Sequence, residues 1–213
     1  MKKIGLLIIG LMTAFCFSAN AQYYLSLGPV GGFGHSWTTG LNGTAHFKPS
    51  PDLGIGLVYS RNSHWGFGGA LVVSHEGYSK EFNMYGNTYN ATVNPVYLRM
   101  PLYVAYFFGD YGNRVRPKVY LGPSIAVKVD EHSDIDDIAM PDGNSLTRMA
   151  PGFRTFDAGV HGGVGANIRL MRNTWLNLDA GYYQGLVDVL DDADGNYNMN
   201  GNLRINAGLM FGL

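Results

Sequence analysis

The sequence predicts an all-β protein, an eight-stranded antiparallel up-and-down transmembrane β-barrel. Segments of about ten residues place apolar side chains at every second position, which is typical of strands that cross a membrane in a barrel. The connections between these segments are alternately long and short. Glycine is abundant, with 30 residues, and charged residues make up 15% of the chain, whereas a water-soluble domain usually has about 25%.

The N-terminal residues have the pattern of a secretory signal peptide. Lys2 and Lys3 precede an apolar run over residues 4–17, and Ala19-Asn20-Ala21 forms a small-x-small cleavage site. After that site, no apolar stretch approaches the ~18 residues of a membrane-spanning helix. The predicted organisation is a signal peptide over residues 1–21 and one β-barrel domain over residues 22–213.

Charge and cysteine content exclude several classes of function. The chain has 15 basic and 16 acidic residues, and loss of Lys2 and Lys3 leaves a mature net charge of about −3. The sequence has no cluster of Lys and Arg residues of the kind that binds nucleic acid. Cys16, the only cysteine, lies inside the predicted signal, and Phe15 before it disfavours a lipoprotein anchor. The mature chain is therefore expected to have no disulfide, cysteine nucleophile or cysteine-ligated metal.

Val96–Phe108 is the clearest predicted strand. One face, with Leu98 and Leu102, is wholly apolar or aromatic, and the other carries Tyr97 and Arg99. The same period of two predicts the other seven strands, which are Tyr24–His35, Leu53–Arg61, Trp65–Glu76, Lys118–Lys128, Phe156–Arg169, Leu176–Tyr182 and Leu203–Leu213. We assign the large apolar faces to lipid and the faces rich in glycine, alanine, serine and polar residues to the lumen.

The connections predict which end of the barrel each segment occupies. The short ones are Asn62–His64, Gly109–Val115 and Met171–Thr174, and the long ones are Ser36–Pro51, Lys80–Thr92, Val129–Arg154 and Asp188–Gly201. Bacterial outer-membrane barrels have short periplasmic turns and long external loops, so both termini are predicted on the periplasmic side. The aromatic residues predicted to form an interfacial girdle at that rim are Tyr59, Trp65, Phe108, Tyr111, Trp175 and Phe211.

A soluble, lipocalin-like barrel in the periplasm is the alternative fold. In such a barrel the apolar faces would point inward and the polar faces outward. The alternation of loop lengths and the small residues of the polar faces favour the membrane barrel.

The chain also resembles the PorT-like family of small outer-membrane β-barrels. The resemblance covers essentially the whole mature chain and is carried by Tyr97–Leu102, Tyr120–Pro123, Phe156–Gly159, Gly162–Gly165, Tyr182–Leu186 with Asp188, and Asn206–Phe211. It implies the barrel fold, a place in the Gram-negative envelope, and a link to secretion or gliding machinery. It implies no shared active site. The chain departs from the usual aromatic terminus of barrels, because it ends on Leu213 with Phe211 two residues earlier.

Charged residues on the inward faces predict a filled lumen. They are Glu76, Arg99, Lys118, Asp157, Arg169, Asp179 and Arg204. Eight strands enclose a space that side chains nearly fill, and an unpaired charge there would cost several kcal/mol. A salt-bridged plug is therefore favoured over an ion or solute path.

Two acidic connections have carboxylates that could bind a cation. The first contains Asp130, Glu131, Asp134, Asp136, Asp137 and Asp142, and the second contains Asp188, Asp191, Asp192 and Asp194. Asp192–Asn196 resembles part of a calcium loop, but Leu190 occupies the first ligand position and no closing glutamate follows. Solvated carboxylates bridged by divalent ions at the lipopolysaccharide surface are the simpler interpretation, and no metal site is predicted.

A hydrolytic centre is not predicted. Ser74 and His75 are adjacent, so they point to opposite faces of a strand. His161 is expected in the lumen as a hydrogen-bonded filler, with Asp157 on the same face. No complete set of nucleophile, base and orienting acid can be assembled, so the predicted catalytic, cofactor-binding and metal-binding residues are none.

Aromatic residues in or beside the long connections predict a binding surface or an upper girdle. They are Trp37, Phe47, Tyr78, Phe82, Tyr85, Tyr89, Phe153 and Tyr197. The glycine-rich stretches Gly31–Gly34 and Gly162–Gly165 lack the strand-to-helix context of a phosphate loop and are expected to relieve crowding or to allow the strands to bend.

The sequence therefore predicts a non-enzymatic protein of the outer membrane, exported by a cleaved signal peptide, that acts through its external loops or periplasmic rim. The expected partners are outer-membrane lipid, lipopolysaccharide and envelope proteins, without nucleic acid and without a cofactor. A lipid-modifying enzyme and a periplasmic lipocalin-like binder are the alternatives.

Overall fold

The structure is a computed structural model that describes residues 24–40, 44–60, 64–84, 86–110, 112–135, 138–139, 145–146, 152–190 and 197–213. The predicted signal peptide lies outside the described residues. The described part of the chain includes no helix of the length and apolarity needed to cross a membrane.

Eight strands form the wall of a closed barrel. They are β1 (Leu25–Thr38), β2 (Asp52–Ser60), β3 (Trp65–His75), β4 (Asn87–Phe107), β5 (Val115–Ile135), β6 (Phe156–Met171), β7 (Thr174–Gly185) and β8 (Asn200–Gly212). Each strand pairs antiparallel with the next along the chain. β1 also pairs antiparallel with β8, from Ser26 opposite Gly212 to Thr38 opposite Asn200. The ring therefore closes, and the predicted eight-stranded up-and-down barrel is confirmed.

The two ends of the barrel differ in the length of their connections. At one end, called here the short-turn end, β2 and β3, β4 and β5, and β6 and β7 are joined by short connections, and Leu25 and Gly212 lie beside them. The opposite end, called the long-loop end, carries the long connections. The first strand therefore begins, and the last strand ends, at the short-turn end, as predicted.

The prediction of a long loop over residues 80–92 is wrong. Tyr78–Met84 forms a strand that pairs with Asn87–Val93, the first part of β4, and a two-residue connection joins them. This hairpin has polar residues on its strands, and the Ser79 and Thr92 hydroxyls are 2.9 Å apart. Apolar alternation in the sequence does not reveal this hairpin. Its strands extend past the lipid-facing part of the barrel, where backbone pairing requires no apolar face.

Other strands also extend further than expected at the long-loop end. β1 continues to Thr38 and β5 continues to Ile135. Two short pairings lie in the same region, Thr44–Ala45 with Lys80–Glu81 and Ile138–Ala139 with Ser145–Leu146.

The assignment of inward and outward faces is confirmed. On β4, Leu98 and Leu102 are exposed on the outer surface, whereas Arg99 and Phe107 are buried inside. The apolar residues of the neighbouring strands that are exposed on the outer surface include Leu53, Ile55, Phe67, Leu71, Leu121, Ile125 and Val164. A register with period two therefore holds around the wall.

The predicted aromatic girdle is partly correct. Tyr59, Trp65, Phe108 and Phe211 are exposed at the short-turn end, and Tyr111 lies outside the described residues. The prediction is wrong for Trp175, which is half-buried and packs inside the barrel against the cluster that contains Phe107 and Met210. Trp175 is one residue before Leu176, which belongs to the outward phase of β7, so its own side chain belongs to the inward phase.

Candidate functional site: the lumen and its two ends

Arg99 is the centre of a buried ion-pair network in the lumen. Its Nε donates to Oε1 of Glu76 at 2.6 Å and its Nη2 donates to Oε2 of the same carboxylate at 2.7 Å. Nη2 also lies 2.6 Å from Oδ2 of Asp157, and Nη1 donates to the Ser124 hydroxyl at 3.2 Å. The Tyr183 ring stacks on the guanidinium at 4.1 Å. One side chain of β4 is therefore held by Glu76, which directly follows β3, and by groups from β5, β6 and β7.

Arg204 on β8 joins the same network from the other side. Its Nη1 donates to Oδ2 of Asp52 at 2.5 Å, and its Nη2 lies 3.7 Å from Oε1 of Glu76. Its Nε donates to Oδ1 of Asn202 at 3.0 Å, and the Asn202 amide in turn donates to the Ser50 hydroxyl at 2.7 Å. The network therefore ties β2 and β8 to β3 across the lumen.

The network contains three carboxylates and two arginines, so it has one negative charge in excess. Neutral side chains donate hydrogen bonds that stabilise these carboxylates. The Tyr183 hydroxyl donates to Oδ1 of Asp157 at 2.9 Å, and the Asn200 amide donates to its Oδ2 at 3.2 Å. The Ser74 hydroxyl donates to Oε1 of Glu76 at 2.9 Å. Hydrogen bonds to a charged group are stronger than those between neutral groups, so these donors stabilise buried carboxylates.

A second ion pair lies nearer the short-turn end. Lys118 Nζ is 3.0 Å from Asp179 Oδ1, and the Tyr103 and Tyr120 rings each lie 5.7 Å from the ammonium. Between this pair and the Arg99 network is a cavity of about 100 Å³.

Glycines on the wall make room for the two tyrosines. A Cβ atom on Gly68 would lie 2.2 Å from Cζ of Tyr103, and one on Gly181 would lie 2.4 Å from the Tyr120 hydroxyl. Gly163 belongs to the stretch Gly162–Gly165, and a Cβ atom on it would lie 2.2 Å from the Ala180 carbonyl oxygen. The predicted role of that stretch is thus confirmed by close approach of neighbouring atoms.

Apolar side chains close the lumen above and below the polar layers. The upper apolar cluster, at the long-loop end, consists of Tyr78, Val93, Tyr97, Ala126, Phe153, Val189 and Leu190. The lower apolar cluster, at the short-turn end, consists of Val58, Ala105, Phe107 and Met210. The lumen is therefore filled in layers, with charges held between two apolar clusters.

The backbone of Phe153 is fixed in the upper apolar cluster by an ion pair. Lys128 Nζ donates to the Phe153 carbonyl and lies 2.5 Å from Oε2 of Glu131. The same carboxylate oxygen accepts the N–H of Phe153 at 3.1 Å. Phe153 also forms a β-bridge with Leu190, which joins the two longest connections over the lumen.

Lys48 anchors the connection between β1 and β2 at the long-loop end. The residue is buried, its Nζ donates to the Pro49 carbonyl at 3.1 Å, and its N–H donates to Nδ1 of His35 at 3.0 Å. Burial lowers the pKa of the Lys48 ammonium, because removal from water disfavours the charged form.

Six of the seven charged residues predicted to lie inside the barrel form ion pairs there, namely Glu76, Arg99, Lys118, Asp157, Asp179 and Arg204. The seventh does not. Arg169 is exposed at the short-turn end. The prediction also missed Asp52 and Arg116, which are buried inside the barrel. Asp52 precedes Leu53 and Arg116 lies two residues before Lys118, so the period of two already assigned both to the inward face.

The residues considered for hydrolysis are engaged elsewhere. Ser74 is buried and bonded to Glu76, whereas His75 is exposed on the outer face, so the expected divergence is confirmed. Nε2 of His161 lies 3.1 Å from the Leu102 carbonyl oxygen, and the imidazole packs near the Tyr103 and Tyr120 rings. The predicted absence of catalytic residues stays a prediction.

The acidic connections are only partly within the described residues. Asp188 lies 3.0 Å from Nη2 of Arg154 and accepts the N–H groups of Leu190 and Asn198. Asp136, Asp137, Asp142, Asp191, Asp192 and Asp194 lie outside the described residues, as does the calcium-like stretch. Within residues that the structure describes, no group of three or more His, Cys, Asp or Glu is placed to hold a metal ion.

Three of the aromatic residues assigned to an exposed binding surface are buried. Tyr78, Tyr89 and Phe153 lie inside the protein, and Tyr78 and Phe153 belong to the upper apolar cluster. They are buried because removing apolar ring surface from water is favourable by about 25 cal/mol per Å². Phe47 and Tyr197 are exposed as expected. Trp37 is half-buried, and the Phe82 side chain and Tyr85 lie outside the description.

Comparisons with known proteins agree with this architecture. The family model described as "Outer membrane protein beta-barrel domain" matches residues 17–191. Among solved structures, the chain is similar to the outer membrane protein OprG from Pseudomonas aeruginosa, with 14% identity, a TM-score of 0.52, and coverage of 90% of this chain and 95% of that chain. At such low identity this likeness shows the fold alone.

Two further solved structures are similar at lower TM-scores. Ail, the attachment invasion locus protein of Yersinia pestis, has 14% identity and a TM-score of 0.44, with 89% of this chain and 99% of that chain covered. Neisserial surface protein A has 17% identity and a TM-score of 0.43, with 89% and 97% covered. No curated protein matches the chain.

Proposed function

The chain belongs to the outer membrane protein beta-barrel domain family, and from this premise we propose that it is a non-enzymatic structural or accessory protein of the outer membrane. It acts through its external loops or its periplasmic rim, and its lumen does not conduct. The family implies a place in the outer membrane. In this proposal the short-turn end faces the periplasm and the long-loop end faces outward, as is usual for bacterial outer-membrane barrels.

The buried Arg99 network is the observation that supports a closed lumen. Arg99, Glu76 and Asp157 are almost fully removed from solvent and bonded to one another. To open a path, the barrel would have to separate these charges, and each unpaired charge would cost several kcal/mol. Apolar clusters lie on both sides of the network and narrow the lumen there.

A planar-bilayer recording tests this part of the proposal. We expect purified, refolded protein to give no steady conductance. The control is electrophoretic mobility of the same sample before and after boiling, since a folded barrel migrates faster than its boiled form and thereby proves that folded protein was present. Stable, repeatable conductance steps from such a sample would overturn the proposal of a closed lumen.

The finer part of the proposal is a partner in the envelope. The resemblance to PorT-like barrels supports a link to secretion or gliding machinery, and the exposed Tyr197 at the long-loop end supports contact by an external surface. Outer-membrane lipid and lipopolysaccharide surround the wall in this proposal.

Site-specific photo-crosslinking in cells tests for that partner. A photoreactive residue at Tyr197 samples the long-loop end, one at Asn173 samples the short-turn end, and one at the outward-facing Leu121 is the lipid-facing control. We expect a discrete protein adduct from at least one end and none from Leu121. Absence of adducts at both ends would count against action through the loops or rim.

A further inference from the structure

We infer that the short-turn end carries a binding site for an oxyanion, a phosphate or carboxylate group on a small periplasmic ligand. The inference deepens the proposed function, on which it rests for the closed lumen and for the periplasmic location of this end. It assigns a ligand class to the periplasmic rim.

A cavity of about 250 Å³ lies at this end of the barrel. Val58 and Met210 of the lower apolar cluster line this cavity and also the smaller cavity beside the Arg99 network. The volume of the cavity at the short-turn end is near the lower limit of pockets that hold small ligands, ~300 Å³, and far above the ~15 Å³ that one water needs.

The charged residues that line the cavity are all positive. Arg116, Arg169 and Arg172 line it, and its described lining contains no aspartate or glutamate. The planar guanidinium group binds carboxylates and phosphates through paired N–H donors, so three guanidinium groups around one space suit an oxyanion. An anion bound among them would also relieve their mutual repulsion.

The three arginines have different roles in this arrangement. Arg116 is buried and oriented, because its Nη1 donates to the Ser60 hydroxyl at 3.0 Å and its guanidinium lies 4.6 Å from the Phe107 ring centre. Arg169 and Arg172 are exposed and form no ion pair with any described residue. We therefore assign the inner positive charge to Arg116 and the ligand-contacting entrance to Arg169 and Arg172.

Two buried amides in the cavity wall supply an independent observation. The Oδ1 atoms of Asn167 and Asn177 are buried without a hydrogen-bond partner in the described part of the chain, and both residues line the cavity. A buried polar atom without a partner carries a desolvation penalty. Each of these side chains also carries an amide N–H2 group, and a donor of that kind in the cavity wall is what an oxyanion requires.

Calorimetric titration of the refolded barrel tests the inference. The barrel is kept in a non-ionic detergent, since a phosphocholine detergent would compete, and is titrated with pyrophosphate and, separately, with succinate. We expect saturable binding of at least one probe. Tighter binding of pyrophosphate would point to a phosphate-bearing ligand, and tighter binding of succinate to a carboxylate-bearing one.

Matched variants locate the binding. The double variant Arg169→Gln/Arg172→Gln should weaken the tighter probe about tenfold or more, because charge-assisted hydrogen bonds are lost. Arg114→Gln is the control: Arg114 is exposed at the same end but does not line the cavity, so its affinity should change less than about twofold, given screening by salt.

Two outcomes would overturn the inference: neither probe binds saturably to a barrel with folded mobility, or Arg114→Gln weakens binding as much as the double variant. The bilayer recording separates this failure from that of the proposed function. A silent barrel that binds neither probe overturns only the oxyanion site, whereas a conducting barrel overturns the closed lumen whatever it binds.

Discussion

Arg99 and Glu76 form a two-pronged ion pair in the lumen, with Nε to Oε1 at 2.6 Å and Nη2 to Oε2 at 2.7 Å. The two residues lie on neighbouring segments of the wall, and the same arginine also binds Asp157 on β6. Because all three side chains are buried, the pair connects different parts of the barrel in a medium where unpaired charges are costly.

Arg99→Met should strongly destabilise the barrel. Loss of the guanidinium leaves Glu76 and Asp157 buried without their main counter-charge, and we expect a loss of about 3–5 kcal/mol in the free energy of unfolding. Urea titration of the barrel in lipid vesicles, followed by the change in gel mobility, measures this loss.

Arg154→Met is the matched control for that substitution. Arg154 pairs with Asp188 at 3.0 Å, but its side chain is about half exposed, so the loss should be below about 1 kcal/mol. Equal losses in the two variants would contradict the central role of the Arg99 network.

Gly68→Ala should destabilise the barrel through overpacking. The added methyl group would lie 2.2 Å from Cζ of Tyr103, so the ring has to move, at a cost of about 1–3 kcal/mol. Gly152→Ala is the control, because the nearest atom to its Cβ is 3.8 Å away, and it should be nearly neutral.

A double-mutant cycle shows whether the Tyr103 ring causes the loss. In Gly68→Ala/Tyr103→Leu, the clash is removed, so the double variant should lose less stability than the sum of the single variants. Strict additivity would indicate that Gly68 is required for another reason.

Leu102→Arg should destabilise the inserted barrel by about 2–4 kcal/mol, because Leu102 is 45% exposed on the outward face and the arginine would enter lipid. Asn87→Arg, at the exposed start of the hairpin strand, should change stability little. A refolding titration in lipid vesicles compares the two, and similar effects would show that the outward face does not contact lipid.

Phe153→Ala should open the long-loop end locally. Phe153 is buried in the upper apolar cluster, so truncation should cost about 3–5 kcal/mol, and we expect faster proteolysis of the connections around it. Limited proteolysis of vesicle-inserted protein measures this rate. Tyr197→Ala, at a 77% exposed position, should leave the rate unchanged, and an equal increase in both variants would argue against a role for the cluster.

Much of the wall was predictable because a strand repeats locally. The alternation of Leu98, Arg99 and Leu102 is visible within a few residues, and each one-residue step reverses the face. The hairpin over Tyr78–Met84 was missed for the same reason, since strand pairing that continues beyond the apolar part of the wall leaves no alternation to detect. Burial of Tyr78 and Phe153 depends on distant connections that come together over the lumen.

The sequence by itself determined the fold class, the eight strands of the wall and the face that most of their side chains occupy, because strand periodicity is a property of neighbouring residues. Only the tertiary structure decided the partners inside. Asp52 and Arg204 are 152 residues apart in the sequence, yet Oδ2 of Asp52 lies 2.5 Å from Nη1 of Arg204. They meet because β1 pairs with β8 on one side and with β2 on the other, which brings the second and the last strands close together. The barrel's stagger then sets which charges share a level in the lumen, and no local pattern contains that information.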